Sequence, residues 1–519
     1  MLTVFFTYKA LKYSQNGIGR SLLSRARIFK KYLGINPVIL SHDYDSNIVK
    51  HYQYLVFSGA LDEKSNYINM YAAFQGTDLK KHDSSTGQSH HYIAKNDNIG
   101  EVKKDNLDKD GGRQGYRYYT KDGELVRHEV RDISNNNICW ANFVANGKVI
   151  GRVFYDNNGY LSKKQTINPS SKKIISETYF HIKGHPVIEK MFSADEGGSI
   201  LKGIQVFSET GQLIHFFESE AELVKYWIES ITKNDLCVVI NDEANFYSPI
   251  INSIDKKNLK HIGVMHSSHV AAEDNEDPIK GRVNYNHADY FKNLEKMSGL
   301  VFLTKRQKED VAKRFDRKEK LFAISHTYDS KVKKVEFSKR NLSKVVMISR
   351  YSVNKKIDLA IVAFAKVVKN LSSASLEIYG FGDQQQFLET LIKEKNLENH
   401  VFLMGHTREP GNIFDQAACS LSTSKVEGFG LSNMESLCHG CPVISFEVNY
   451  GPSEMIENTK NGYLVPFGDV DKLAKRIVTL LENPKKLNRM SDFAYKSAEN
   501  FLPEHYAQKW GALLKEVIY

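Results

Sequence analysis

Residues 344–355 read KVVMISRYSVNK, an apolar run followed by two cations, Arg350 and Lys355. The run is short, rich in β-branched side chains and bounded by polar residues, which predicts a buried strand. Amphipathic helices are predicted between this strand and similar runs at residues 375–380, 400–405, 419–424 and 442–447. This alternation is typical of a doubly wound parallel sheet with helices on both faces.

The amino-terminal part of the chain shows the same alternation in two separate blocks. The first block opens as β–α–β, with a strand at 2–6, a helix at 21–33 and a strand at 37–40. The second block begins near residue 219 and has predicted strands at 236–241, 261–266 and 299–304. We expect the two blocks to form one Rossmann-like domain.

Between these blocks the sequence changes in character. Residues 80–113 are polar and charged, which predicts a connector or an irregular loop. From residue 116 to 215, aromatic and β-branched runs alternate with turn dipeptides, as in YYTKDGELV and NFVANGKVIG, and this pattern predicts successive hairpins. We therefore expect an antiparallel β domain inserted in the first of two Rossmann-like domains. The expected segments are 1–78 and 216–335 for the first domain, 79–215 for the insert, and 336–519 for the second domain, whose last helix crosses back.

The composition is that of a folded protein with anionic partners. Apolar residues make up 41% of the chain, and 71 Lys and Arg against 61 Asp and Glu give a formal net charge of +10. A solubilising surface charge is the alternative explanation. No recognised nucleic-acid-binding module is present, so we expect no nucleic acid partner. The first residues lack the features of a secretory signal, and no apolar run approaches 18 residues, so we expect a cytoplasmic protein.

The five cysteines lie mostly in apolar runs, and we expect buried free thiols. Cys438 and Cys441 are spaced as C-x-x-C, but no second pair and no suitable histidine pattern completes a zinc site. We therefore predict no zinc site. We also expect no other metal ion and no cofactor, because no D-x-D pair lies near the candidate ligand-binding loops described next.

Ligands of doubly wound sheets bind beyond the carboxyl ends of the strands, and three such loops in the second domain carry candidate residues. After the first strand, Arg350 and Lys355 can converge on an anion such as a diphosphate. A solvated basic loop is the alternative. After the third strand, Gly405 and His406 would let a flat ring approach the backbone, unless they form an ordinary turn.

The third loop and the helix after it read KVEGFGLSNME at residues 425–435. Its two glycines let backbone N–H groups approach an anion, and the helix that begins near Ser432 adds its positive end. Glu427 and Glu435 flank this anion site. Their carboxylates can accept hydrogen bonds from sugar and ribose hydroxyls.

Over residues 336–519 the sequence resembles the retaining glycosyltransferases of family 4, which have the GT-B fold. The matching pieces are the strand followed by Arg350 and Lys355, the strand ending LMGH, the run EGFGLSNME and the segment GCPVI after it. The resemblance implies that Arg350 and Lys355 hold the donor diphosphate. It implies that Glu427 contacts the donor sugar and that Glu435 binds the ribose. The further donor-binding residues that it implies are Gly405, His406, Gly428, Phe429, Gly430 and Leu431.

The resemblance extends to two residues of the first domain. Gly17 matches the second glycine of the family's loop beneath the phosphates, whereas Asn16 stands where the first glycine is usual. His266 matches a histidine that family members place near the donor sugar. His269 lies three residues further on, and the choice between the two histidines stays open, with His266 favoured.

The insert resembles the β domain of bacterial teichoic acid glycosyltransferases and of enzymes that glycosylate serine-rich or serine-aspartate repeat adhesins. This resemblance implies roles in acceptor binding and self-association. The expected enzyme is a UDP-sugar-dependent retaining glycosyltransferase that moves glucose or GlcNAc to an anionic cell-envelope acceptor, with wall teichoic acid polyol phosphate favoured.

Serine-rich repeat proteins are the alternative acceptor, and an inactive GT-B partner or chaperone subunit is the alternative class of function. We expect a homo-oligomer formed through the β domain, with peripheral association at the inner face of the membrane.

Overall fold

The computed structural model describes residues 2–13, 15–63, 66–80, 99–105, 112–195, 198–232, 235–330 and 334–519. These residues fall into two compact units. The first unit comprises residues 1–27, 36–239 and 250–259, and the second comprises residues 28–35, 240–249 and 260–519.

The amino-terminal residues of the first unit form the β–α–β opening that the sequence predicts. The apolar first strand is buried from Val4 onward and pairs in parallel with the second, which pairs in parallel with the third. Asn69 caps the helix after the third strand, because its side chain accepts a hydrogen bond from the amide of Ala72. The elements are β1 (Leu2–Thr7), α1 (Gly17–Ile28), β2 (Val38–Ser41), α2 (Ile48–Phe57), β3 (Asn66–Asn69) and α3 (Met70–Gln75).

Ten antiparallel strands follow, and each is hydrogen-bonded to its neighbours in chain order. The turn glycines of the predicted hairpins adopt positive φ, for example 83° at Gly123 and 67° at Gly147, which tight hairpin turns require. The strands are β4 (Ile99–Asp105), β5 (Arg113–Thr120), β6 (Leu125–Asp132), β7 (Ile138–Ala145), β8 (Lys148–Tyr155), β9 (Leu161–Ile167), β10 (Ile174–Phe180), β11 (Pro186–Asp195), β12 (Gly198–Phe207) and β13 (Leu213–Phe217).

The prediction of a connector over residues 80–113 is wrong for part of this segment. Residues 99–105 form β4, which pairs with β5 in a register that sets Lys103 opposite Arg117. The strand lies at the edge of the sheet, where charged side chains are common because they prevent further pairing. Its sequence IGEVKKD therefore lacks the apolar alternation of an inner strand. Residues 81–98 and 106–111 of the predicted connector lie outside the described residues.

Alternating helices and strands return after the ten-stranded sheet. In the second unit, β15, β16 and β17 are neighbouring parallel strands. The elements are α4 (Glu220–Ile231), β14 (Leu236–Asn241), α5 (Ala244–Asn252), β15 (Leu259–Met265), α6 (Ala288–Lys292), β16 (Gly299–Phe302), α7 (Lys305–Arg314) and β17 (Leu321–Ala323).

The rest of the second unit is a six-stranded parallel sheet with interleaved helices, as predicted. Its strands are β18 (Asn341–Ile348), β19 (Ser375–Tyr379), β20 (Val401–Gly405), β21 (Ala417–Ser422), β22 (Val443–Glu447) and β23 (Gly462–Pro466). Its helices are α8 (Ile357–Asn370), α9 (Gln385–Glu394), α10 (Pro410–Gln416), α11 (Leu431–Cys438), α12 (Pro452–Met455), α13 (Val470–Leu481), α14 (Pro484–Ser497) and α15 (Pro503–Ile518).

The strand order of this sheet determines where its loops meet. The order is β20-β19-β18-β21-β22-β23, so the chain runs outward from β18 in one direction and then outward from β21 in the other. The reversal between β18 and β21 is the position at which open parallel sheets leave a crevice for ligands.

A large hydrophobic core fixes these strand ends. One face of α8 is buried, including Phe364 and Val367, and packs on the central strands. Trp510 of α15 is buried, and its ring centroid lies 5.6 Å from that of Phe29. The cysteines are free, and all except the partly exposed Cys139 are buried. Within the described ranges, no helix is long and apolar enough to span a bilayer.

Candidate active site

Lys355 and Glu427 form an ion pair beyond the carboxyl ends of β18 and β21. The Nζ atom of Lys355 lies 2.5 Å from Oε1 of Glu427. The hydroxyl of Ser424 donates a hydrogen bond to the same oxygen at 2.7 Å. The side chains of Lys355 and Glu427 are 23% and 14% exposed, so a ligand can reach both. Sequence reasoning overlooks Ser424, because a single loop serine carries no pattern.

Hydrogen bonds hold the two loops of this ion pair together. The hydroxyl of Thr423 donates to the carbonyl oxygen of Lys355 at 3.0 Å. The amide of Lys425 donates to the carbonyl oxygen of Asn354 at 2.8 Å. The site is therefore preorganised at the switch point of the sheet, where a ligand would meet a cation and a carboxylate together.

Arg350, two residues beyond β18, is exposed and forms no side-chain hydrogen bond or ion pair with the described residues. Its backbone is fixed by the next residue, because the buried Tyr351 donates from its hydroxyl to the carbonyl oxygen of Ile378 at 2.8 Å. An unpaired guanidinium on a fixed loop can bind a phosphate through a bidentate fork.

The glycine loop between Glu427 and α11 packs against the end of β15. Gly428 lies so close to the carbonyl oxygen of His266 that a Cβ atom does not fit. Gly430 has a φ of 93° and directly precedes α11. The amide groups at the start of α11 therefore adjoin the loop that carries Glu427, as an anion site requires.

Phe429 and Leu431 belong to this loop, but their side chains pack in the interior. Phe429 is 3% exposed and lies in a hydrophobic cluster with Leu303 and Met434. Leu431 packs partly buried against the same cluster. The backbone of Phe429, rather than its side chain, is thus the part that can contact a donor.

His266 forms a second side-chain pair, with Asp242. The Nε2 atom of His266 lies 2.6 Å from Oδ1 of Asp242, whose side chain is fully buried. The imidazole stacks on that of His326 with ring centroids 5.5 Å apart, and His326 meets Phe429 edge-on at 5.4 Å. These contacts fix the His266 ring beside the glycine loop. Sequence reasoning overlooks Asp242, which follows β14 as one carboxylate among many in the chain.

His269 has a different environment. It is fully buried, and its Nε2 lies 2.8 Å from the carbonyl oxygen of Pro278. Burial lowers the pKa of His269 to about 4, so the ring is neutral at neutral pH. A neutral, buried imidazole that bonds to the backbone serves the fold, and the geometry therefore favours His266 as the active-site histidine.

The loops after β19 and β20 lie side by side. The amide of Gly380 donates to the carbonyl oxygen of Gly405 at 2.8 Å, and the rings of Phe381 and His406 have centroids 5.7 Å apart. Phe381 is 63% exposed, and His406 is exposed beside it. The two rings are tilted by 59° to each other, and their exposed faces offer aromatic surface on which a nucleobase can stack. Sequence reasoning overlooks Phe381, although the run YGFG at the end of a predicted strand signals a close backbone approach.

Glu435 lies partly buried on α11. Burial, together with the charge of Glu435, raises the pKa of Tyr328 to about 12. The Glu435 carboxylate therefore lies near enough to Tyr328 to act on its hydroxyl, and it can accept hydrogen bonds from hydroxyl groups of a ligand.

Gly17 begins α1 in the first unit. The side chain of Asn16, before it, accepts hydrogen bonds from the hydroxyl of Tyr8 at 3.0 Å and from the amide of Gly19 at 2.9 Å. Asn16 thus satisfies an amide at the start of α1, which explains an asparagine where the resemblance leads one to expect glycine.

A model of the family described as glycosyl transferases group 1 matches residues 329–497. The match spans β18 to α14 and contains every site residue named above from Arg350 to Glu435.

Curated relatives match far more of the chain. Poly(glycerol-phosphate) alpha-glucosyltransferase of Bacillus subtilis strain 168 is 27% identical over 99% of this chain and 75% of its own length. Poly(ribitol-phosphate) alpha-N-acetylglucosaminyltransferase of Staphylococcus aureus strain COL is 26% identical over 98% of this chain and 99% of its own length. The GtfA subunit of a UDP-N-acetylglucosamine–peptide N-acetylglucosaminyltransferase of Streptococcus agalactiae is 26% identical over 76% of this chain and 77% of its own length.

Solved structures agree with these relatives. The crystal structure of a mutant of S. aureus TarM, in complex with fondaparinux, alpha-GlcNAc-glycerol and UDP, is 26% identical and covers 99% of both chains with a TM-score of 0.83. The comparisons confirm two predictions made from the sequence, the GT-B fold and a glycosyltransferase.

Proposed function

We propose that this protein is a retaining glycosyltransferase that transfers glucose or GlcNAc from a UDP-sugar to hydroxyl groups of wall teichoic acid polyol phosphate. The Lys355–Glu427 ion pair carries the proposal, because it sets a cation for a diphosphate beside a carboxylate for sugar hydroxyls. The named activities of two relatives, on poly(glycerol phosphate) and poly(ribitol phosphate), support it.

In the proposed reaction the bond between the anomeric carbon and the diphosphate oxygen breaks. Arg350, Lys355 and the amino end of α11 stabilise the charge that develops on the leaving diphosphate. An acceptor hydroxyl attacks the anomeric carbon from the face that the diphosphate leaves, so the configuration is retained. The hydroxyl proton passes to the leaving phosphate.

Glu427 changes partners when the donor binds. Lys355 turns from its 2.5 Å contact with Glu427 to a phosphate oxygen, which leaves the carboxylate to accept hydrogen bonds from the donor sugar. Ser424 keeps the carboxylate in place during the exchange, because its hydrogen bond to Glu427 does not depend on Lys355.

The enzyme needs no metal ion or other cofactor in this proposal. Arg350, Lys355 and the start of α11 supply the positive charge that Mg²⁺ supplies at other sites that bind a diphosphate. The initial rate should be unchanged in excess EDTA. A rate that falls in EDTA and recovers with added Mg²⁺ would contradict metal independence.

The polymer acceptor is favoured over a serine-rich protein by the extent of similarity. The two polymer-modifying relatives match 99% and 98% of this chain, whereas the peptide-modifying GtfA subunit matches 76%. A protein acceptor remains the second candidate, and an inactive GT-B partner or chaperone subunit is the candidate of another class. The intact Lys355–Glu427 pair and the unpaired Arg350 argue against the inactive subunit.

The proposed setting is cytoplasmic, at the inner face of the membrane, with self-association through the ten-stranded sheet. Support for self-association comes from the edge strand β13, where Leu213, Ile214 and Phe216 are 53%, 47% and 52% exposed. Exposed apolar edge strands readily pair with other chains. Ile214→Lys should yield monomers in light scattering, and an unchanged mass would contradict the role of this edge.

A donor and acceptor screen tests the proposed activity. Purified protein is incubated with UDP-glucose or UDP-GlcNAc and with poly(glycerol phosphate), poly(ribitol phosphate) or a serine-rich repeat protein, and the added mass identifies the sugar. We expect transfer to a polyol phosphate, with the anomeric configuration of the donor seen by NMR. Modification of the protein alone would select the second candidate. A folded protein that neither transfers nor hydrolyses a UDP-sugar would indicate the inactive subunit.

A further inference from the structure

A cavity of about 210 Å³ lies in the first unit, between the start of α2 and the turns of the ten-stranded sheet. None of the donor-site residues lines it. At about 30 Å³ for each water molecule in the liquid, this volume corresponds to roughly seven waters, the size of a single sugar ring. The cavity therefore suits a small, compact ligand.

The lining combines aromatic rings with planar polar groups. Trp140 and Phe154, which are paired residues of β7 and β8, contribute apolar surface. Asn47 and Asn157 contribute amides, Asp132 a carboxylate and Arg113 a guanidinium. Aromatic faces pack against the C–H faces of sugar rings, and planar amide, carboxylate and guanidinium groups bind neighbouring hydroxyls in pairs.

The charges around the cavity balance. Lys50 and Arg113 are the two cations of the lining, and Asp132 and Asp156 are its two carboxylates. Lys50 already pairs with Asp132, with Nζ 2.5 Å from Oδ2. A balanced lining favours a neutral polyhydroxylated ligand over a phosphate, because a phosphate requires surplus positive charge.

The cavity is preformed in the protein. The Asn157 side chain donates to Oδ1 of Asn47 at 3.2 Å and accepts from the amide of Lys50 at 3.4 Å. These bonds tie the turn after β8 to the start of α2. A ligand that enters the cavity therefore does not have to order either segment.

We propose that this cavity binds one hexose or N-acetylhexosamine unit of an acceptor chain that already carries sugars. The inference rests on the proposed function for the origin of that sugar, but the binding itself does not depend on catalysis. A cavity-bound sugar tethers the modified chain, so the next unmodified units reach the donor site at a raised effective concentration. Partly glycosylated acceptors are then better substrates than bare ones.

Direct binding is measured on the full chain with UDP present to occupy the donor site. Trp140 lines the cavity and is partly exposed, whereas Trp227 and Trp510 lie outside it and are 3% and 1% exposed, so a change in tryptophan fluorescence on ligand binding arises mainly from Trp140. Titration with the methyl glycosides of glucose and GlcNAc should give a saturable change in the millimolar range. Glycerol 3-phosphate and inorganic phosphate should give none. A response to the phosphates but not to the glycosides, or no saturable response, would overturn the sugar site.

Variants separate the cavity from general effects on the sheet. Arg113→Gln should weaken glycoside binding about tenfold. Arg117→Gln, the same change on the same strand β5 but outside the cavity, should bind normally. Calorimetry on Trp140→Ala should show no binding, and Phe57→Ala, at the exposed end of α2 and outside the cavity lining, is its aromatic control. Equal binding by Arg113→Gln and Arg117→Gln, together with unchanged binding by Trp140→Ala, would contradict the assignment.

Kinetics test the consequence for the acceptor. The ratio of KM for bare polymer to KM for partly glycosylated polymer should be about tenfold in the native protein and about one in Trp140→Ala, with the kcat of the two proteins similar. A ratio of one in the native protein would overturn the tethering role. If no polymer is modified at all, the proposed function fails, and the glycoside titration still decides the sugar site independently.

Discussion

A Cβ atom at position 428 would lie 2.1 Å from the carbonyl oxygen of His266. The obstacle is a backbone atom at a strand end and cannot rotate away, so Gly428→Ala has to displace the loop that carries Glu427. Because a displacement of about 1 Å in an active site can cost a factor of about 100 in rate, we expect kcat to fall about 100-fold with little change in Tm. Gly511→Ala on α15 meets only a methyl group of Leu33, at 3.2 Å, and is the control. A fully active Gly428→Ala would show that the loop position is unimportant.

The Lys355–Glu427 pair is predicted to act in transfer and not only in stability. Lys355→Gln and Glu427→Gln should each lower kcat about 100- to 1000-fold. The charge-swapped protein with Lys355→Glu and Glu427→Lys keeps an ion pair. It places a carboxylate at the position that binds the diphosphate and a cation at the position that binds the sugar hydroxyls, so activity should stay low. Recovery in the swapped protein would mean that the pair is structural. Lys366→Gln, which breaks the exposed pair with Asp471, should behave like the native protein.

The two candidate histidines should differ in their effect on kcat. His266→Ala should lower the kcat of the folded protein by a factor of about 100, because His266 lies at the glycine loop. It should also lower Tm, because it removes the imidazole partner of the buried Asp242 carboxylate. His269→Ala should lower stability by about 2–4 kcal/mol, because it leaves a buried cavity and removes the hydrogen bond to the Pro278 carbonyl, while the folded protein keeps its rate. Steady-state kinetics and thermal unfolding of both variants decide the assignment. The reverse pattern would select His269.

Phe381 is predicted to bind the nucleobase of the donor together with His406. Since stacking of a base on an aromatic ring is worth about 1–3 kcal/mol, Phe381→Ala should raise KM for the UDP-sugar by about tenfold or more and leave kcat nearly unchanged. Phe387→Ala on α9, a similarly exposed phenylalanine at 52%, is the control. Equal KM values for the two variants would remove Phe381 from the site.

Asp156 should make the first unit less stable as pH rises from about 4 to 6. Burial raises the pKa of Asp156 to about 6, whereas the pKa of an aspartate in an unfolded chain is about 3.9. Between about pH 4 and 6 the folded state holds a proton that the unfolded state has lost, so the free energy of unfolding falls as the pH rises. It stays lower above about pH 6.

Asp156→Asn keeps an acceptor for the amides of Asn158 and Tyr160 and removes the buried charge. We expect it to stabilise the protein by about 2–3 kcal/mol at pH 7.5, and by almost nothing near pH 4. The difference in Tm between variant and native protein at the two pH values measures this effect. An equal gain in Tm at both pH values would show that the buried charge is not the cause of the stabilisation.

The sequence carries most of the fold because its signals are local. The apolar runs and helical periods predict β18 to β23, and the turn dipeptides predict the hairpins of the ten-stranded sheet. The edge strand β4 is not predicted, because one of its edges faces solvent and its lysines interrupt the apolar alternation of an inner strand. Residues whose position depends on contacts distant in the chain are not predicted either. One example is Asp242, which contacts His266 although the two are 24 residues apart in the sequence.

The candidate site shows the same division. Arg350, Lys355 and Glu427 can be predicted since each follows a strand, and parallel strands end at one edge. Which part of a residue faces the ligand cannot be predicted in this way. Phe429 matches the donor motif by position, yet its ring packs beside Leu303, which belongs to a segment more than a hundred residues earlier in the chain.

The chain-order pairing of the ten-stranded sheet has a consequence for biosynthesis. Each hairpin from β4 to β13 closes a short loop, so this sheet has a low contact order and can form as it leaves the ribosome. The strand β1 instead neighbours β14, which is synthesised only after all ten strands. The edge of β1 that pairs with β14 therefore stays open while the hairpins form, and open strand edges are prone to aggregation.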